Sequence, residues 1–304
     1  MIFFWQKTLW KKFNWHLQNN KIPYGLLLTG FPGIGKLHFV KLCAQKILLC
    51  NSSELSEHPD LLHIKPQGKL NQIQIDQIRN IIFFLQRTSW IGGYRVVIIE
   101  KSHNMNLFAY NAFLKILEEK REKTILILTT DYLESIPLTI RSRCQIWYMN
   151  FFLEEKNQNL KNFFWEYEIN NSKNLLNIFN IPGFGPIYLK IWEKKGYLKK
   201  INSVFQNFLD KKTPIFQTKK LQDIDLVLII NSLIQLVYNL IYILIFKKKN
   251  SIFWKLAKKK SLSQWFCLID FYLIERKKII KIDYLFNTEL FLEGLFIEWY
   301  SYNE

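Results

Sequence analysis

Gly30, Gly33, Gly35 and Lys36 stand in the run Leu26-Leu-Leu-Thr-Gly-Phe-Pro-Gly-Ile-Gly-Lys-Leu37 at the spacing GxxxxGK. Glycines at those places let backbone N–H groups turn inward around a phosphate chain, and the lysine that follows reaches the outer phosphates. The chemistry outlined is nucleoside triphosphate binding. Hydrolysis needs two further groups. One is a Ser or Thr hydroxyl after the lysine to hold Mg²⁺, and Leu37 followed by His38 stands there instead. The other is a set of carboxylates at the end of an apolar strand; Val96-Val-Ile-Ile-Glu100 supplies one, and Lys101 follows it. Each loss removes on the order of a hundredfold from the rate, so no turnover is expected. No cofactor is required by this reading, and the retained Lys36 and glycines leave weak ATP or ADP binding open.

Thr139-Ile-Arg141-Ser142-Arg143-Cys144 is a second constellation, with two of the chain's seven arginines within three residues. Lysine supplies positive charge elsewhere, so guanidinium geometry is selected here, a planar fork for phosphate oxygens that lysine does not copy. Arg143 reads either as a fork for another subunit's nucleotide or as a surface residue paired with a carboxylate. Arg141 reads as a DNA phosphate contact or a structural pair. Cys144 has no His and acid pattern beside it and reads as a small buried thiol.

These residues need a scaffold, and from Gly25 to about residue 148 short apolar runs alternate with helical patterns, as in a parallel α/β sheet. Gly25–Thr29, Leu61–Lys65, Arg95–Ile99, Thr124–Thr129 and Gln145–Tyr148 read as strands. Gln74–Leu85 reads as a helix with Ile75, Ile78, Ile81, Ile82 and Leu85 on one side; Leu107–Lys120 reads as another, with Phe108, Ala112, Leu114 and Leu117 inward. After Asn150 the strand signal fades. The expected organisation is an α/β core over residues 1–150, a small helical unit over 151–194 and a helical domain over 195–304.

With 304 residues, 49% of them hydrophobic, the chain is long enough for two or three domains, which excludes wholesale disorder. Its formal charge of +17 comes with abundant Lys, Asn, Ile and Phe, the pattern of an AT-rich genome, so only the placement of charge argues function. Four cysteines form no CxxC pair, which fits a reducing cytoplasmic setting, and no export signal is read at the start. Leu226 to Phe246 is a charge-free stretch of membrane-spanning length. Asn231, Gln235, Asn239 and Tyr242 draw a polar stripe along it, which favours a buried helix of a helical domain over a membrane span.

The residues above, with His58-Pro-Asp60, Ile75-Asp-Gln-Ile-Arg79, Gly92-Gly-Tyr-Arg-Val-Val-Ile-Ile99 and Ala109-Tyr-Asn-Ala-Phe-Leu-Lys-Ile-Leu-Glu-Glu119, resemble the delta prime subunits of DNA polymerase III. These are clamp-loader proteins of the AAA+ class. Weaker matches follow at Gly183-Phe-Gly-Pro186 and Asn287-Thr-Glu-Leu290. The resemblance implies an AAA+ P-loop core with a parallel sheet, a helical lid and a C-terminal helical collar that assembles a ring of five. It implies a non-hydrolysing component of the DNA polymerase holoenzyme in DNA replication. Its partners would be the gamma or tau motor subunits, the delta subunit, the sliding clamp and primer-template DNA, with no membrane. It also implies that Arg143 is an arginine finger acting in trans on the ATP site of a neighbouring motor subunit. The alternative is an active gamma/tau-like ATPase, against which Leu37 and Lys101 stand. Many members carry a four-Cys zinc module before the His-Pro-Asp block; here only Asn51–Glu57 separate Cys50 from His58, so neither zinc nor any other metal is expected.

Overall fold

The computed structural model describes residues 2–68, 71–90, 92–150, 185–197, 200–201, 203–204, 221, 223–247, 253–281 and 287–301. The chain divides into two compact units. Among the described residues, 2–150 and 185–187 belong to the first and those from 188 onward to the second. Most of the helical unit expected over 151–194 lies outside the described residues, which resume at Gly185, within the run Ile181-Pro-Gly-Phe-Gly-Pro186 that breaks the helical pattern in the sequence.

Five strands build the first unit: β1 (Gly25–Gly30), β2 (Leu61–Ile64), β3 (Arg95–Ile99), β4 (Thr124–Thr130) and β5 (Gln145–Met149). They form one sheet in the order β2-β3-β4-β1-β5, and every neighbouring pair is parallel. Near-continuous apolar runs are what such a sheet demands, because helices cover both faces. Successive side chains point to opposite faces. Leu27, Val97, Ile99, Leu126 and Leu128 therefore meet Ile78, Ile81, Phe113 and Leu117 of α3 (Ile75–Gln86) and α4 (Leu107–Glu118). Their neighbours Leu26, Leu28, Val96, Ile98, Ile125 and Ile127 meet Phe13, Phe39, Val40 and Cys43 of α1 (Lys7–Gln18) and α2 (Lys36–Leu48). A single turn, α5 (Leu138–Arg141), precedes β5.

The face expected for α4 needs correction. The helix buries Ala109, Tyr110, Phe113, Ile116 and Leu117, while Phe108 is 68% exposed. Asn106 caps the helix by accepting a 2.8 Å bond from the Ala109 N–H, which fixes where the first turn begins. Asn111, Lys115 and Glu118 mark the solvent face, and Leu107 and Phe108 flank it, so apolar character at these two positions does not mean burial.

Helix α6 (Pro186–Lys194) starts in the first unit and continues in the second, where α7 (Leu226–Ile245), α8 (Trp254–Ala257), α9 (Leu262–Lys281) and α10 (Thr288–Ser301) follow. Strands are absent among its described residues. The long apolar helix α7 is the core of this unit: it packs on α8 and α9, and 67% of its most apolar window is buried. The polar stripe is internal only in part: Asn231 is buried, Gln235 and Asn239 are half-buried and Tyr242 is exposed. Asn231 accepts from Arg276 Nη1 on α9 at 3.1 Å, and Gln235 Nε2 donates to Asn239 Oδ1 at 3.1 Å. On the far side Lys260 Nζ donates to the Trp299 carbonyl at 2.5 Å and lies over the Trp265 and Trp299 rings.

The architecture is a parallel five-stranded α/β core carrying the GxxxxGK loop, followed by helical structure, as the residue pattern implies.

Candidate functional site

In parallel α/β sheets, ligands sit beyond the carboxyl ends of the strands. Here that edge carries the loop Phe31–Gly35 between β1 and α2. Gly35 has φ +92°, in the left-handed region, and a Cβ on it would come 2.9 Å from Gln6 Nε2. Only glycine turns the chain into α2 there.

Lys36, the first residue of α2, curls back over the loop. Its Nζ donates to the Gly30 and Phe31 carbonyls at 2.7 and 2.9 Å and meets Asp131 Oδ1 at 2.5 Å. An ammonium has three N–H donors, and three acceptors take them. Sheet register explains the carboxylate: Thr29 of β1 pairs with Thr130 of β4, so Asp131 leaves β4 beside Gly30. Both side chains are nearly buried, 8% and 12% exposed. Burial lowers the Lys36 pKa, Asp131 opposes that, and nearby Lys101 lowers it further. His103 braces the carboxylate: its Nδ1 accepts from the Asp131 N–H at 3.3 Å, and its Nε2 lies 3.8 Å from Asp131 Oδ2.

The loop carbonyls are engaged as well. Trp5 Nε1 donates to Ile34 O at 2.8 Å and Gln6 Nε2 to Gly35 O at 3.0 Å. From the other side, the Gly185 and Ile187 N–H groups donate to Pro32 O and Gly33 O at 2.7 and 3.1 Å. Gly185 presses so closely that an added Cβ would meet the Ile34 nitrogen. Gly30, Gly33, Gly35 and Lys36 are thus brought together as the spacing implies, with the lysine and four of the loop carbonyls engaged by the chain's own groups.

The lone acid at the end of β3 turns elsewhere. Glu100 Oε2 lies 3.4 Å from His63 Nε2 on the neighbouring strand β2, and the imidazole holds the carboxyl below the usual carboxylate range despite its burial. Thr129 is structural: its Oγ1 accepts from the Lys101 N–H at 3.1 Å, tying β4 to the turn after β3.

Arg143 lies on the short link between α5 and β5. Its Nη2 donates to Glu118 Oε1 on α4 at 2.7 Å and its Nη1 to the Thr139 carbonyl at 3.0 Å, with its side chain 39% and that of Glu118 55% exposed. The carboxylate pairing weighed as one reading of Arg143 is present, and the guanidinium remains at the surface. Arg141 has its Nε buried without a hydrogen-bond partner. Burial pushes the Cys144 thiol up to about 12, the state of an inert thiol. Among the described residues, no three His, Cys, Asp or Glu side chains come together as a metal-holding group.

Asp131, Gln6 and Trp5 are the site residues that sequence reasoning missed, while Gly185, read only as part of the weak Gly183-Phe-Gly-Pro186 match, was given no place at the loop. The signal for Asp131 was its place one residue past an apolar strand; Gln6 and Trp5 carried none.

Residues 5–152 match the family model described as "DNA polymerase III, delta subunit". The DNA polymerase III subunit delta' of Pseudomonas aeruginosa is 32% identical over 157 residues, 47% of this chain and 47% of that protein. That of Haemophilus influenzae is 32% identical over 146 residues, 43% and 44% of the two chains. The DNA polymerase III subunit gamma of Buchnera aphidicola subsp. Schizaphis graminum is 29% identical over 164 residues, 49% and 44%. The chain spans about half the length of the curated relatives it matches. These likenesses bear out the delta prime resemblance in the first unit.

Proposed function

We propose, from residues 5–152 being a DNA polymerase III delta-type module, that this chain is the non-hydrolysing delta prime subunit of a clamp loader, and that Arg143 completes the ATP site of an adjacent motor subunit. The observation that carries the reading is the division of labour between two cations. Lys36 is fully engaged inside its own loop, and Leu37 stands where a Mg²⁺ ligand is needed. Arg143 is held at the surface by one exposed carboxylate and one carbonyl. Exposed ion pairs contribute about 0–1 kcal/mol, so exchanging Glu118 for a partner's phosphate costs little. A guanidinium supplied in trans stabilises charge on the transferring phosphoryl group and makes hydrolysis depend on correct packing of subunits.

In this reading the chain needs no nucleotide, zinc or other cofactor of its own. It works in the cytoplasm in a hetero-pentamer with gamma or tau and delta subunits, and supports loading of the sliding clamp onto primed DNA. Relatives named gamma favour a second reading, an active ATPase. Leu37, Lys101 and the Lys36–Asp131 pair weigh against it.

The test is primed-DNA-stimulated ATP hydrolysis by a loader reconstituted with cognate subunits, comparing the unmodified chain with Arg143→Ala after both are shown to assemble. A rate drop of about a thousandfold at the affected site, with intact assembly, is expected. An unchanged rate overturns the finger assignment.

A further inference from the structure

At the opposite, amino-terminal edge of the sheet, an open cleft of about 400 Å³ lies among the end of α3, the loop that follows it and the start of β4. Arg87, Arg95, Arg121 and Lys123 line it, together with the hydroxyl residues Thr88 and Ser89. Three of the seven arginines in a lysine-rich chain therefore share one concave surface.

Part of this cluster is structural. The final carbonyls of a helix lack partners within it, and the arginines supply them: Arg95 Nη1 donates to Leu85 O at 2.7 Å and Arg87 O at 2.5 Å, and Arg121 Nη1 donates to the same Leu85 O at 2.7 Å. Two guanidinium nitrogens so converge on one neutral oxygen. Hydrogen bonds to carbonyls satisfy donors without cancelling charge, and two like charges held this close raise the local potential. Arg95 Nη2 is likewise bound to neutral oxygens, those of Glu122 O and Thr124 Oγ1. Lys123 Nζ donates to the Gly92 carbonyl at 3.2 Å.

The negative groups nearby are few. Arg121 Nη2 meets Glu119 Oε2 at 3.2 Å, a carboxylate that is 59% exposed. Glu122 lines the cleft, and Asp60 is turned toward the Trp90 N–H at 2.8 Å. Arg87, the residue that caps α3, is exposed at the rim. Four cations thus line the cleft with one carboxylate, that of Glu122, while Glu119 pairs with Arg121.

The geometry points to an anion site in this cleft, one that takes a phosphate group through the Arg87 fork and the Thr88 and Ser89 hydroxyls in the field of Arg95, Arg121 and Lys123. A planar fork beside hydroxyl donors suits tetrahedral phosphate oxygens. The phosphate can come from a polynucleotide backbone or from a free phosphate compound, and both present the same oxygens. The inference is independent of the role proposed for Arg143.

The experiment uses the intact chain and two probes, a fluorescein-labelled dT oligonucleotide followed by anisotropy and inorganic pyrophosphate followed by calorimetry. Arg87→Ala and Arg87→Gln remove the fork without touching the bonds that cap α3. Lys11→Ala removes an equal charge at an exposed position of α1. At low salt, Arg87→Ala and Arg87→Gln are expected to weaken binding of at least one probe about tenfold or more, and Lys11→Ala to change it less than twofold. Loss for both probes, with pyrophosphate competing against the oligonucleotide, identifies a backbone phosphate as an occupant. Loss for pyrophosphate alone identifies a free phosphate compound. Binding that is absent, or equal in all variants, overturns the site.

Discussion

Glu118 on α4 and Arg143 before β5 meet at 2.7 Å through Oε1 and Nη2, a salt bridge at the surface of the first unit between residues far apart in sequence. Glu118→Gln removes the carboxylate's charge and leaves an amide oxygen in its place. Because the pair is exposed, the change is expected to lower unfolding stability by no more than about 1 kcal/mol. In a reconstituted loader it is expected to leave hydrolysis at or above the unmodified rate, since the guanidinium is released rather than lost. Urea denaturation and phosphate release measure the two. A fall in rate as deep as that of Arg143→Ala would mean that Glu118 positions the arginine instead of parking it.

The pair at the phosphate loop behaves differently because it is buried. Removing one partner of a buried ion pair leaves an uncompensated charge, at about 3–5 kcal/mol. Lys36→Met and Asp131→Leu are each expected to lose stability on that scale in the first unit. The double variant is expected to recover much of it, because no orphaned charge remains. Additive losses in denaturant melts would show that the two side chains do not depend on each other.

Leu37→Ser restores a hydroxyl at the metal-ligand position. With Lys36 still bound to Asp131 and two carbonyls, hydrolysis is expected to stay at background in a phosphate-release assay. Turnover by this single variant would show that the missing hydroxyl, and not the occupied lysine, was limiting.

Two pH dependences have opposite directions. The Glu100 carboxyl lies below its ordinary value, chiefly through His63. The unfolded chain therefore binds the proton more readily, and this stabilisation is present above the ordinary glutamate pKa and lost as pH falls through the folded one. His63→Leu is expected to move the onset of acid unfolding to higher pH.

For Lys260, burial pushes the pKa down to about 8 against the opposing charge of Glu298. Between that value and the ordinary 10.5, the unfolded chain holds more protons, so stability of the second unit rises with pH over that window. Lys260→Met is expected to flatten the rise in melts taken from pH 7.5 to 10.5.

The central strands β1, β3 and β4 were legible because a sheet covered on both faces leaves near-continuous apolar runs, whereas the edge strands β2 and β5 carry mixed sequences, with His63 in one and exposed Gln145 and Tyr148 in the other. The polar stripe of α7 was legible for a related reason: Asn231 and Gln235 recur at helical spacing within an apolar stretch. The buried face of α4 was not, since Leu107 and Phe108 are as apolar as Phe113 and still face solvent. At the site, the glycines and Lys36 could be read from spacing, whereas Asp131 enters through the β1–β4 register and Gly185 through close packing. Neither relationship has a local signature. The arginines at the amino-terminal cleft sit in unrelated segments and converge only once α3, β3 and β4 are assembled.

Gly185 lies against the Gly33–Ile34 backbone with no room for a methyl group, and it donates to the Pro32 carbonyl. A curl first recognisable as a phosphate cradle thereby doubles as joinery between distant stretches of one chain. A substitution at such a joint acts through folding before it acts on any ligand. Alanine at 185 is expected to disturb the packing of the loop whatever the loop does with ATP. The glycine spacing of a GxxxxGK run can therefore be held by packing inside the fold as well as by a phosphate chain.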